Sequence, residues 1–219
     1  MTHTTYAKKS PLKMNIQQAA DCISMGGVVS IPTETVYGLA ADVSQPDAIK
    51  RIFSIKGRRI NHPLIVHIAS MEQIKWWARD IPESLKLLAK WFWPGPLTVI
   101  LKKQHHVSDL ITGGQDTVAL RVPNHPKTLQ LLNQLECGLA VPSANRFGRV
   151  SPTKVQHVID DLGSSIDGIL DGGDCEVGIE STILDLSVPG ADNHHVRILR
   201  HGQIDQLVLE DCLGLVCIT

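Results

Sequence analysis

Several familiar chemistries have no foothold in this chain of 219 residues. No Gly-Lys-Ser/Thr triplet occurs, so a Walker phosphate loop is excluded, and no Gly-x-Gly-x-x-Gly follows a strand-like run. Gly-x-Ser-x-Gly, the nucleophile turn of many hydrolases, is also missing. The five cysteines, Cys22, Cys137, Cys175, Cys212 and Cys217, are odd in number, scattered, and contain no Cys-x-x-Cys pair. That pattern argues against a disulfide framework, and the ten histidines and five cysteines lack the close spacing of a structural zinc site. His105-His106 and His194-His195 read as loop residues rather than ligands. No apolar run approaches the roughly 18 residues of a membrane span, and Met1 to Lys13 lacks the apolar centre of a signal peptide. The expected location is therefore cytoplasmic, with no membrane partner. A formal net charge of -1 does not indicate a generally basic, nucleic-acid-coating surface, although it leaves room for a local basic patch.

What is present is ordinary for a globular protein: 43% hydrophobic and 20% charged residues. No linker, repeat or low-complexity tract divides the chain, so a single domain over 1–219 is expected. Strand and helix signals alternate throughout, which predicts an α/β fold with a mixed sheet. Ile16, Ala19, Ala20 and Ile23 recur at helical spacing and stop at Gly26-Gly27. Gly27 to Ile31 reads as a buried strand that Pro32 ends by removing a backbone donor. Pro46 opens a helix closing in Lys56-Gly57-Arg58-Arg59, and Ser70 with Gln73 forms a capping-box pattern. His67 lies in a strand between Val66 and Ile68, facing the other way from both. His105 to Gln115 reads as a mobile loop and as the candidate to close a site.

The chemistry-bearing residues collect at strand ends: Thr35, Lys56 with Arg58, His67, Thr117 with Arg121, Ser143 with Asn145, Ser151 and Ser181. Cations among hydroxyls and amides suit triphosphate oxygens, and an arginine suits a substrate carboxylate. No covalent nucleophile with an adjacent base stands out, which points to direct attack of one bound substrate on another. On the residues alone, a nucleotide-using transferase leads a small-ligand binding module.

Six ordered segments go further. PTETVYGLAAD (Pro32 to Asp42), KGRRINHPLIVH (Lys56 to His67), WPGPLT (Trp93 to Thr98), ALRVPNHP (Ala119 to Pro126), VPSANRFGRVSPT (Val141 to Thr153) and GIESTILDL (Gly178 to Leu186) resemble the threonylcarbamoyl-AMP synthases of the YrdC-domain family. The resemblance implies a twisted mixed sheet with helices on both sides and a deep central cleft. It implies that L-threonine, bicarbonate or carbon dioxide and ATP, with Mg²⁺, give threonylcarbamoyl-AMP and pyrophosphate. The product would pass to proteins that place the threonylcarbamoyl group on tRNA beside the anticodon. By motif position, Thr35, His67, Arg121, Val141 and Ser181 would hold L-threonine. Lys56, Arg58, His62, Thr117, Ser143, Asn145, Ser151 and Arg197 would line the ATP side, with Lys56 and Arg58 positioning the phosphates. No metal ligand is expected from the protein itself.

Two residues depart from the family pattern: Arg59 stands where many members have proline, and His201 where Leu-Arg-Pro-Gly is usual. Two other functions fit parts of the sequence. The Lys50, Arg51, Lys56, Arg58 and Arg59 cluster would suit an RNA-binding module in direct contact with tRNA, but it carries no aromatic residue for base stacking. The related domain of hydrogenase-maturation proteins acts on carbamoyl phosphate, and the accessory segments that accompany it there are missing here.

Overall fold

The computed structural model of the chain describes residues 11–188, 195–214 and 216–218. Among the described residues the strands are β1 (Leu12–Met14), β2 (Val29–Ile31), β3 (Gly38–Asp42), β4 (Ile65–His67), β5 (Leu97–Lys102), β6 (Thr117–Arg121), β7 (Leu139–Ala140), β8 (Gly168–Leu170), β9 (Thr182–Asp185), β10 (His195–Arg200) and β11 (Val216–Ile218). They form one mixed sheet in the order β1-β8-β2-β3-β7-β4-β6-β5-β9-β10-β11. The helices are α1 (Ile16–Ser24), α2 (Pro46–Lys56), α3 (Ile74–Trp77), α4 (Ser84–Phe92), α5 (Asp109–Thr112), α6 (Pro126–Leu135), α7 (Val155–Asp161) and α8 (Gln206–Leu213).

Local chemistry sets the ends of the first two long helices. Asn15 and Gln18 form a reciprocal capping box at the start of α1, each side chain accepting from the other's backbone N–H. Pro46 occupies the first turn of α2, and Gly57 closes it in the left-handed conformation at φ 63°. The expected box at Ser70 differs. Ser70 makes no capping bond, and the Gln73 side-chain Oε1 accepts instead from the Ala69 N–H at 2.8 Å, because the first turn is a tight 3₁₀ turn, Met71–Gln73.

The 105–115 segment also differs from expectation. It contains α5, capped by Ser108, and it buries Val107, Ile111 and Thr112. Lys103 holds it by donating to the Val107 carbonyl and to Asp109. These buried side chains and the Lys103 anchor make it part of the core, and it does not line the cavity described below.

Strand alternation assigns the two sheet faces different work. In β3, Leu39 and Ala41 join the larger core with residues of α2, α4, α7 and α8, whereas Ala40 joins a smaller core with α1 and α6. In the paired strands β4, β6, β5 and β9, Val66, Leu120, Val99, Leu101 and Leu184 enter the larger core. Their neighbours Ile65, His67, Ala119, Arg121, Ile100 and Ile183 share the opposite face, and all six line a cavity. Helices α1 and α6 cover this face over β2, β3 and β7; beyond them it floors the cleft.

Two anchors fix the walls of that cleft. Gly202 lies against the chain at 180–182, where a β-carbon would stand 2.3 Å from the Glu180 carbonyl oxygen and 2.5 Å from the Thr182 nitrogen. Lys56, the last residue of α2, is buried, and its ammonium donates to the carbonyls of Ser143 and of Asn145, the latter at 2.7 Å. Burial, with the nearby Arg58 charge, lowers its pKa to about 8.

Gly202→Ala is expected to cost about 1–3 kcal/mol, the usual range for forcing atoms into a packed site, because the colliding atoms are backbone and cannot swing away. A thermal melt unchanged from wild type would refute that packing. For Lys56, folded and unfolded states are both charged below pH 8. Above that the folded state releases its proton first, so the unfolded state binds more protons and stability rises with pH. Wild type should therefore gain stability relative to Lys56→Met between about pH 8 and 10, a comparison that cancels the opposing titration of buried thiols and Tyr37. Denaturant melts of both proteins across that range measure it.

Candidate active site

The turn from Pro32 to Tyr37 forms one wall of the cleft, and its backbone is tied on several sides. The Val177 and Gly178 N–H groups donate to the carbonyls of Glu34 and Thr35, at 2.9 and 3.0 Å. The Tyr37 N–H donates to Pro152, and its carbonyl accepts from Ala144. The Tyr37 hydroxyl donates to the Gly173 carbonyl at 2.7 Å, and burial raises its pKa to about 12. Gly38 bridges Ser143, and a β-carbon there would stand 2.2 Å from the Val141 side chain, which would have to move.

Beside this wall lies a cavity of about 230 Å³. Arg121 reaches into it from β6 and is 4% exposed, so its charge needs partners. Its Nη2 donates to Glu34 Oε1 at 2.7 Å and to Thr35 Oγ1 at 3.0 Å, and its Nε donates to the Gly95 carbonyl at 3.2 Å. Glu34 is itself buried, and its other oxygen accepts from the Asn124 N–H at 3.0 Å.

His67 sits opposite Arg121 in the parallel β4–β6 register. Neither of its ring nitrogens reaches a hydrogen-bond partner. Burial first and the Arg121 charge second hold its pKa well below the ordinary histidine value; the Ile65 backbone opposes the shift without meeting hydrogen-bond geometry. His67 is therefore neutral at physiological pH and offers the cavity an uncommitted imidazole.

A second polar chain crosses the far wall. Ser181 Oγ contacts Thr98 Oγ1 at 2.8 Å and accepts from Arg200 Nη2 at 2.9 Å, while Arg200 Nε donates to the Ser181 carbonyl at 3.0 Å. Arg200 Nη1 pairs with Glu180, whose other oxygen accepts from the Ser151 hydroxyl at 2.6 Å. At the mouth, Arg58 donates to His62 Nδ1 at 3.1 Å and to the Pro63 carbonyl at 3.1 Å. The His62 ring lies 5.6 Å from that of the exposed Phe147.

The structure thus brings together all five residues that the motifs assign to L-threonine, Thr35, His67, Arg121, Val141 and Ser181, and with them Arg58 and Ser143. Four others surround the cavity without lining it. Lys56 and Asn145 are buried behind the 143–145 turn, His62 stands beside Arg58, and Ser151 bonds Glu180. Thr117 shares the floor's face two residues beyond Ala119, and its hydroxyl donates to Gln115 at 3.3 Å. Arg197 is exposed and does not line the cavity; the β10 arginine that does is Arg200. A register shift between Ile198 and Arg200 sets Arg200 opposite Ile183 on the cavity face. The proposed basic RNA patch is dispersed: Lys50 pairs with Asp47, Arg51 pairs with Asp167, Lys56 is buried and Arg58 lines the cavity.

Arg200 and Glu180 are the site residues that sequence reasoning missed. Their signal was their place inside or beside the recognised motifs, but the bulge that turns Arg200 inward leaves no mark in the residue pattern.

The chain that carries this cleft is similar to known proteins in sequence and in fold. A family model described as "Telomere recombination", for the Sua5, YciO and YrdC proteins, matches residues 21–202. A threonylcarbamoyl-AMP synthase of Pyrococcus abyssi is 50% identical over 172 residues, 78% of this chain and 51% of the relative. One of Bacillus subtilis is 45% identical over 200 residues, 91% of this chain and 56% of the relative. This chain therefore spans about half the length of those two relatives. The crystal structure of P. abyssi Sua5 complexed with L-threonine superposes with a TM-score of 0.88 at 42% identity, covering 97% of this chain and 63% of that one. Matched over most of its length in sequence and in fold, this chain belongs to the Sua5/YciO/YrdC family.

Proposed function

We propose that this chain condenses L-threonine, bicarbonate or carbon dioxide and ATP into threonylcarbamoyl-AMP, with release of pyrophosphate. The observation that carries the reading is the convergence of Thr35, His67, Arg121, Val141 and Ser181 on one cavity. It is supported by the name of the 45–50% identical relatives and by the similarity to a protein crystallised with L-threonine.

The proposed chemistry needs positioning more than a strong base. The neutral threonine amine adds to carbon dioxide, and its nitrogen gives up a proton to water as the carbamate forms. A carbamate oxygen then forms a bond to the α-phosphorus as the bond to the β-phosphate oxygen breaks, and pyrophosphate leaves. Arg121 faces the substrate carboxylate, and the neutral His67 accepts a hydrogen bond without adding charge. Arg58 and Arg200 offset the charge that develops on the phosphates. Mg²⁺ would enter with ATP, held by phosphate oxygens and water, and would offset charge on the leaving pyrophosphate; Glu180, the carboxylate lining the cavity, has both oxygens engaged by Arg200 and Ser151. The product is a mixed anhydride, and its consumer is expected to be the machinery that transfers the threonylcarbamoyl group to tRNA in the cytoplasm.

Pyrophosphate release should require ATP, threonine and bicarbonate together. Release that continues undiminished when threonine or bicarbonate is left out would overturn the reading. Arg121→Ala should raise the threonine requirement by about 30-fold or more, the scale of a lost buried charge contact, and shift the ATP requirement by less than about threefold. The variant is assayed well below its own melting temperature, because it strands the Glu34 carboxylate. Equal shifts for the two substrates would show that Arg121 does not meet the threonine carboxylate.

A further inference from the structure

We infer that Glu34 is a positioning residue that sets the polarity of the threonine pocket, by fixing which edge of Arg121 meets the substrate. The inference rests on the proposal that this cavity takes L-threonine.

A guanidinium has five N–H donors in a rigid plane. In Arg121 the Nε hydrogen goes to Gly95, and both Nη2 hydrogens are taken, one by Glu34 and one by Thr35. Among the described residues no hydrogen bond uses Nη1. Glu34 is anchored from behind by the Asn124 N–H, so the plane of the guanidinium cannot rotate to offer another edge. An incoming carboxylate therefore meets the Nη1 end, rather than the two-pronged Nη1–Nη2 face.

Beside the arginine, Thr33 Oγ1 accepts from the Thr35 and Val36 N–H groups, at 3.2 and 3.1 Å, and lies 2.6 Å from the Val36 carbonyl oxygen and 2.9 Å from Thr35 Oγ1. These contacts fix the turn that carries Thr35, whose hydroxyl accepts from Arg121 at the cavity wall. The pocket thus has a donor end at Arg121 Nη1, and its place depends on where Glu34 holds the arginine.

The test is calorimetric binding of L-threonine, L-threoninamide and Mg-ATP, each alone, to wild type and to Glu34→Gln, which keeps the shape and removes the charge. Wild type should prefer threonine to its amide. Glu34→Gln should weaken threonine by about tenfold or more, the scale of a mispositioned charge-assisted contact. It should leave threoninamide nearly unchanged and hold ATP within about twofold of wild type. Threonine binding as tight as wild type's in Glu34→Gln would overturn the positioning role while leaving the threonine reading intact. Parallel losses for all three ligands would also overturn it, since they would mean that Glu34 merely holds the fold. Wild type that fails to bind threonine would overturn the reading on which the inference rests. Should Glu34→Gln fail to fold, Glu34→Asp, which withdraws the carboxylate by one methylene, is read by the same outcomes.

Discussion

A guanidinium shut inside a protein is stable only if its donors are met, and in this chain that requirement draws three distant segments together. Arg121 comes from β6, Glu34 and Thr35 from the turn after β2, and Gly95 from the turn before β5. Removing one member of such a buried pair costs several kcal/mol, because the other is left charged and unpaired. The ion pair therefore holds the wall of the cleft against its floor, and the nearby Thr33 and Tyr37 hydrogen bonds are arranged around a wall already held in place.

The sheet supplies the second constraint. A strand with a core on one face and a substrate cavity on the other must alternate strictly, and β4, β6, β5 and β9 do so in register. Their inward residues are aliphatic and fully buried. The outward ones mix aliphatic side chains with His67 and Arg121, which is why a single short strand such as Ile65–His67 carries both core and chemistry. Polar residues on that face would be errors in an ordinary sandwich of helices and sheet; here α1 and α6 stop short of them.

Much of this was legible in the residues. Pro32 does end β2, Pro46 and Gly57 do bound α2, and the period of two did place His67 away from Val66 and Ile68. Such features are local, decided by proline, glycine and side-chain spacing within a few residues. The 105–115 segment misled because His and Gly-Gly suggest a loose loop, whereas Val107 and Ile111 find a core and Lys103 holds them there. The insertion of β7 between β3 and β4 and the placing of β8 beside β2 are long-range pairings with no local mark. Arg200 against Arg197 is the sharpest case. Plain alternation from the core residues Val196 and Ile198 would turn Arg197 to the cavity face and Arg200 to the core, and a single bulge after Ile198 reverses that count for Arg200. Glu34 was visible within its motif, but its task became clear only once Arg121 stood beside it.

The bulge in β10 also bears on how the protein is made. The turn at residues 33–35 leaves the ribosome early, but Arg200, which steadies Ser181 and pairs with Glu180, follows about 165 residues later. Contacts over such separations close slowly and late in folding. A nascent chain can build β2, α2 and much of the larger core while its cleft still lacks the far wall. The ability to grip a substrate then arrives only after most of the stabilising core around the cleft is in place.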